Sequence, residues 1–415
     1  MYARKRLDIG WRDLSSGLVS CALARDEAGL SRRIEEWFGG PERAAFACLS
    51  VRSGLELYLE TLALPKGSEV LMSALTIPDM WRVVEHHGLV PVPVDVETAT
   101  LAPRPEAWRA AVTHRTRLAI VAHLFGTRTS LDPLLELKKS HGLLVLEDNA
   151  QAYTGSDSKG HPGADVSMFS FGPIKTATAL AGGVLCVKDL AILERMRAAH
   201  ATWPGQSRPG YAQRILKYSL LKAITSPLLY TGFVAACSAA GTTHDKVIQG
   251  TVRGFKGGDF FEKIRHRPSA PLLALMLRRL ERGSEQRVAE RALRARRLIA
   301  QSGATLEFPG ALAPYHSFWV FTVLSSRPEE LVVRLRERGF DATQAATMSA
   351  LPAPAARPEL EPREARAMLA RLVYVPVYPE MPLAQIDAMA SILRSMSRPA
   401  GDLAESEVSH TQLAS

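Results

Sequence analysis

What the chain has little of narrows its function first. Four cysteines occur in 415 residues, at Cys21, Cys48, Cys186 and Cys237, and no two stand at CxxC or zinc-finger spacing. That excludes a disulfide scaffold and a cysteine-built metal site, and the four read as buried thiols of a reducing cytoplasm. The opening stretch, MYARKRLDIGWRDL, lacks the apolar run of a secretory signal. There is no HExxH, GxSxG or GxGxxG. The turn GPIKT at 172–176 has no glycine directly before its lysine, so it is not a GK[ST] phosphate loop. Internal repeats and low-complexity tracts are absent as well, and no metal is expected.

What remains is an ordinary globular composition, 47% hydrophobic and 22% charged. The length suits two domains better than one. Lys and Arg outnumber Asp and Glu by 51 to 42, a net charge of +9. An excess of that kind fits an anionic ligand such as a phosphorylated cofactor. The basic residues are dispersed rather than gathered in one stripe, so no nucleic acid partner is expected.

From about residue 45 to 190, short apolar runs alternate with helical patterns. Strands are predicted at 46–49, 69–73, 89–94, 118–123, 143–147, 166–171 and 183–187. Helices are predicted at 53–64 (capped by Ser53), 78–87, 105–112 and 131–141. Alternation of this kind implies crossover connections, hence an α/β fold with a mainly parallel sheet covered on both faces. Ligands in such sheets lie beyond the C-terminal strand ends.

A long basic helix is predicted over 268–300, with Gly283 as its weak point. It leads to a smaller α/β unit with strands at 315–324 and 372–377 and helices at 328–338 and 383–395. The expected division is 1–265 as the large domain, 266–398 as the linking helix and small domain, and 399–415 as a disordered tail. An apolar insertion sits at about 215–245. Within it, residues 223–243 carry no charge, and Lys217, Lys222, Arg253 and Lys256 flank them. Pro227, Gly232 and many small polar residues argue against a membrane span. Burial against the same subunit or a partner is expected. In-plane contact with a membrane surface is the alternative.

The chemistry concentrates between Leu146 and Asp189. Asp148 closes an apolar strand, Gln151 follows three residues on, and Ser170 ends the next strand. Lys175 stands in a turn where its amine can reach back over the sheet edge, and Gly182-Gly183 allows close backbone approach. An Asp and a Lys at neighbouring strand ends suit pyridoxal 5'-phosphate, because the amine captures the cofactor aldehyde and the carboxylate keeps the ring nitrogen protonated. The same pair also has an ordinary reading, as a helix cap and a solvated lysine.

The wording of the stretch goes further. Glu147-Asp148-Asn149-Ala150-Gln151, then Ser170-Phe171-Gly172-Pro173-Ile174-Lys175, then Gly182-Gly183 resembles the DegT/DnrJ-type pyridoxal-phosphate sugar aminotransferases. Their pattern reads roughly EDxAQxxG, SFHxxKN, GGxxxT. Residues 50–79, 89–95, 122–126 and 375–379 resemble further segments of the family, and Gly210–Arg214 resembles its GYNxR. The departures are Leu55, Gly172, Thr176 and Ala212, where the family has Thr, His, Asn and Asn, and Ile77 at its stacking aromatic.

The resemblance implies an aspartate-aminotransferase-like fold and transfer of an amino group from a donor such as glutamate to a keto-sugar or sugar-like ketone. It implies a homodimer of cytoplasmic location. Lys175 would be the Schiff-base lysine and the acid/base, and Asp148 would pair with the pyridinium nitrogen. Gln151 would approach the ring hydroxyl. Ser170 would bind the phosphate together with the N–H groups of Gly54, Leu55 and Glu56, since a helix start presents free donors to an anion. Relatives that remove a hydroxyl carry His in place of the Lys, so Lys175 points away from that branch. A non-catalytic regulatory protein that binds the cofactor, and an enzyme acting on a lipid-linked substrate, stay open as alternatives.

Overall fold

A computed structural model describes residues 1–4, 6–245, 247, 259–303, 306–344 and 348–396. The expected tail at 399–415, and Arg253 and Lys256, lie outside the described residues. The centre is a seven-stranded sheet: β1 (Ala44–Cys48), β2 (Glu69–Ser73), β3 (Val90–Val94), β4 (Thr116–Ala122), β5 (Leu144–Asp148), β6 (Val166–Ser170) and β7 (Gly183–Val187), in the order β1-β7-β6-β5-β4-β2-β3. All run parallel except β7, which pairs antiparallel with both neighbours. The expected α/β class with a mainly parallel sheet is what forms.

Alternating residues on each strand feed opposite faces, the period-2 rule. Val70, Met72, Leu118, Ile120 and Leu146 pack with the helices Val51–Leu62 and Pro78–His86. Leu71, Val92, Ala119, Val121 and Val145 pack with Trp108, Leu134 and Leu137 on the other side. Each parallel strand delivers the chain to the same edge. Ser50, His123, Asp148 and Ser170 therefore line up along it.

Four sequence expectations change. The helix expected from Ser53 begins at Val51, with Ser50 as its cap: the Ser50 hydroxyl accepts from the Ser53 N–H. The long helix over 268–300 is two helices, Ala270–Glu281 and Glu285–Ser302, broken at Gly283, whose φ of +71° suits glycine. The first half packs with Phe38, Tyr211 and Phe171, whereas the second joins Leu331, Val373 and Ile386. A domain boundary at Gly283, rather than at 265, suits that packing.

The strand expected over 315–324 is two short ones, Tyr315–His316 and Phe321–Leu324, parted by a turn with Phe318 at φ +50°. Finally, the uncharged segment is covered only in part by its own chain, with Met1 and Ala3 packed against Tyr230, Phe233 and Val234. It forms the end of one helix, Arg208–Ile224, and a second, Pro227–Ala239, bent from it by 95°. Tyr230 and Cys237 are buried, but Leu228 is 89% exposed and Leu229 58%. Among the described residues no single helix is long and apolar enough to cross a membrane, although this bent pair passes that test together.

Candidate active site

The site assembles at the sheet edge where β5, β6 and β1 end. Asp148 is the last residue of β5, and one carboxylate oxygen accepts from the Ala150 N–H at 2.8 Å. Burial pushes its carboxyl above the ordinary range, against the Ala150 hydrogen bond and the neighbouring Lys175, His123 and Arg52. Lys175 follows β6 in a turn closed by its own N–H to the Gly172 carbonyl at 3.0 Å. Burial pulls its amine down to about 7; Asp148 works against this and Arg52 adds to it. The structure thus brings Asp148 and Lys175 into mutual electrostatic range, as the sequence predicts.

Behind them, Glu147 and His123 form a buried pair. The Thr129 N–H donates to His123 Nδ1 at 3.2 Å, which leaves the proton on Nε2, 2.8 Å from Glu147. Burial raises the Glu147 carboxyl, but His123, the Ser167 hydroxyl and the His161 N–H outweigh it and hold it at about 2. This pair braces the strand end on which Asp148 sits, and the His123 N–H donates to the Asp148 carbonyl.

The anion cradle is placed differently from expectation. Gly54 donates to the Ser50 carbonyl, and Leu55 and Glu56 lie past the first turn, so their N–H groups are spent inside the helix. The Glu56 side chain is fully buried and holds His87 and Arg265 instead. Gly54 serves packing: a Cβ there would meet Leu185 at 2.1 Å. The helix start that faces the site is Ser50–Ser53. It lies against Gly183, where a Cβ would come within 2.7 Å of the Val51 nitrogen, and Gly183 is the register partner of Ser170. Ser170, buried at the end of β6, therefore shares this corner. Donors at a helix start beside a hydroxyl and a glycine fit a phosphate. Arg52, paired with Asp79 at 2.7 Å, supplies a cation on the same turn.

Gln151 accepts from the Phe125 N–H at 2.9 Å, and its amide nitrogen faces the Met348 sulfur at 3.6 Å. Tyr211 and Arg214 of the GYAQR segment hold the Ala179 and Leu180 carbonyls, fixing the loop after Lys175. Ile77 and Trp81 pack on the core beside the helices and supply no ring at the lysine. Trp319 does so instead: the Lys175 amine lies 3.9 Å from its ring centroid, and its indole N–H donates to the Ile174 carbonyl.

Sequence reasoning missed Trp319, because it fell inside an apolar run read as one strand. Four non-glycine residues with left-handed backbone, Phe125, Ala177, Leu180 and Phe318, surround the lysine turn and Trp319. Concentrated strain of that sort is common at working sites.

The pieces fit pyridoxal phosphate: a buried carboxyl for the ring nitrogen, an amine of lowered pKa for the aldehyde, and a donor-rich cradle for the phosphate. Residues 25–218 match the DegT/DnrJ/EryC1/StrS aminotransferase family. The erythromycin biosynthesis sensory transduction protein EryC1 of Saccharopolyspora erythraea is 34% identical over 212 residues, which are 46% of this chain and 57% of that one. The chain thus spans little more than half the length of that relative.

Among solved structures, a DegT/DnrJ/EryC1/StrS aminotransferase from Brucella abortus superposes with a TM-score of 0.69 at 17% identity, covering 94% of this chain and 96% of that one. 3-Amino-5-hydroxybenzoic acid synthase gives 0.66 at 22% identity, covering 95% and 98%. The fold is shared with these aminotransferases.

Proposed function

From the membership of residues 25–218 in the DegT/DnrJ/EryC1/StrS aminotransferase family, we propose that the protein is a pyridoxal-phosphate-dependent aminotransferase. It would move an amino group from a donor such as glutamate to a keto-sugar or sugar-like ketone. The single observation that carries this reading is the buried Asp148 carboxyl within electrostatic range of the Lys175 amine, at the ends of neighbouring strands. When bound, the cofactor supplies an aldehyde that captures amines and a ring that accepts electrons. Asp148 would hold the proton at the ring nitrogen. Lys175 would hold the cofactor through its amine and would be the group that carries a proton to and from the substrate carbon. The N–H groups of Val51 and Arg52, the Ser170 hydroxyl and the Arg52 side chain would anchor the phosphate, and Trp319 holds the lysine turn through the Ile174 carbonyl.

The test is the visible spectrum of the purified protein with added pyridoxal phosphate, then with glutamate. An imine band that shifts on adding glutamate, absent in Lys175→Ala, is the expected result. An imine band that glutamate leaves unchanged supports the non-catalytic, regulatory reading instead.

A second reading concerns the acceptor. Residues 208–243 contain Arg208, Arg214, Lys217 and Lys222 and no carboxylate, and Leu216, Leu220, Leu228 and Leu229 are exposed there. An uncharged apolar helix beside basic residues suits either a partner subunit or an anionic bilayer surface. Co-sedimentation with anionic vesicles at low salt, partly released at high salt, supports a lipid-linked acceptor. A supernatant protein at every salt concentration supports a partner subunit.

A further inference from the structure

Trp319 reaches the lysine turn from the second core, beyond Gly283. Its neighbours Phe318 and Phe321 pack there with Leu331, Val373 and Ile386, whereas Lys175 follows β6 of the central sheet. The loop that carries the indole is fixed at three points. The Ser317 N–H donates to the Gly126 carbonyl at 2.7 Å, Arg291 Nε donates to the Ser317 carbonyl at 3.0 Å, and Phe318 stacks on His316 with centroids 3.9 Å apart. Gly126 is needed for this fit, because a Cβ there would come within 2.6 Å of the Trp319 backbone nitrogen. The indole then makes two contacts with one turn. Its N–H donates to the Ile174 carbonyl at 2.9 Å, and the Lys175 amine lies 3.9 Å from its ring centroid.

The two contacts act differently. The hydrogen bond to Ile174 fixes the turn whatever the charge on the amine. The ring face, negative in its quadrupole, attracts an ammonium and not a neutral amine. Around that amine, Asp148 at the end of β5 favours the charged form, while burial and Arg52 on helix Val51–Leu62 oppose it. Asp8, Arg287 and Arg291 stand around a neighbouring small cavity, which Trp319 lines and Lys175 does not. A proton carrier has to hold its proton and release it at one working pH. A carboxylate against the amine would trap the ammonium as an ion pair, and a dry wall without a ring would leave the amine neutral. An indole face lies between these extremes, since it excludes water and favours the cation by a modest amount. In the proposed reaction Asp148 is engaged by the ring nitrogen, which leaves the indole as the partner of the lysine.

We propose that Trp319 is a positioning residue for the reaction, whose ring face holds the Lys175 ammonium in place while that group carries its proton. The proposal rests on the aminotransferase reading and adds to it the group that steadies the charged lysine.

The test is the pH at which the Lys175 amine becomes reactive in the full chain, read in two ways. Acetic anhydride labelling of Lys175, located by peptide mapping, reports the amine without the cofactor, and the imine band with added pyridoxal phosphate reports it with the cofactor. Trp319→Leu keeps the wall apolar and removes the ring. Both midpoints are expected to move down by about 0.5–1.5 pH units, the strength of a cation–π contact read as a pKa. Trp319→Phe keeps a smaller ring and should move them down by less. A tryptophan that only packs gives the opposite sign, because a loosened wall admits water and lets the amine titrate nearer to an ordinary lysine.

Midpoints that stay in place or rise in Trp319→Leu overturn the proposal. Should that variant fail to fold, Trp319→Phe decides: a midpoint there that is unchanged or raised overturns it equally. The two readouts keep this failure apart from that of the underlying reading. An imine band in the parent with unmoved labelling midpoints in the variants removes the role of Trp319 and leaves the aminotransferase reading standing. A parent without the band fails that reading first, and the proposal with it.

Discussion

At the scale of single residues, Lys175 and Asp148 are two ionisable groups whose surroundings push both toward neutrality. Burial lowers the lysine to about 7 and raises the aspartate. An ordinary lysine titrates near 10.4, so the unfolded chain holds a Lys175 proton that the folded chain has released between about pH 7 and 10. Folding stability therefore rises with pH across that window, and below about 7 both states are protonated and the dependence stops. Lys175→Met should flatten the slope, which denaturant midpoints at pH 7 and pH 9 will measure. The neutral amine is also the nucleophile. Imine formation with pyridoxal phosphate should climb through pH 6–8 and then level off, about three pH units below where an exposed lysine would. A plateau reached only near pH 10 would refute a lowered pKa. Lys175→Ala should cut turnover by about 10²–10⁴-fold, the usual worth of a positioned proton carrier. Asp148→Asn should still form the imine but lose about 10²–10³-fold in rate. Both residues were legible in the sequence because each stands at a strand end in a recognisable string. Arg52 was not, since nothing in SVRSG says which serine caps the helix.

Among the elements, the helix start at Ser50–Ser53 and the strand start at Gly183 form one unit, because backbone meets backbone where a side chain would otherwise stand. Gly183→Ala puts a Cβ within 2.7 Å of the Val51 nitrogen and 2.8 Å of the Ser50 carbon. Neither atom can rotate away. A loss of about 1–3 kcal/mol is expected, as for other overpacked positions, together with weaker retention of pyridoxal phosphate, read by thermal unfolding and by dialysis. Gly54→Ala, aimed at the Leu185 side chain instead, should cost stability and leave cofactor retention less affected. The strands of the central sheet were readable because each is a short apolar run between turn residues. The helix start was misplaced by three residues because Ser50 and Ser53 are both competent caps, and only packing of Gly54 on Leu185 selects the first. The run 315–324 looked like one strand because its break is made by Phe318, a residue whose left-handed backbone no local pattern announces.

At the level of the whole molecule, the exposed side of helix Pro227–Ala239 and the match of residues 25–218 to the aminotransferase family lead us to expect a homodimer. Light scattering should give twice the mass of 45.3 kDa, and dilution to monomer should reduce activity. A fully active monomer contradicts this. The broken helix at Gly283 separates two cores, yet the first residues of the chain return to the second one. Tyr2 bridges to Phe340, and Arg4 pairs with Asp341, 337 positions away. Such contacts span about four-fifths of the chain, and their closure is slow. During synthesis the contacts of Tyr2 and Arg4 with Phe340 and Asp341 must wait until residue 341 has left the ribosome, whereas Asp8, which holds the Ala177 N–H after the lysine turn, meets its partners earlier. Lys175 is therefore translated well before Trp319, whose indole N–H donates to the Ile174 carbonyl, and a nascent chain paused before residue 319 would carry the lysine turn without that contact.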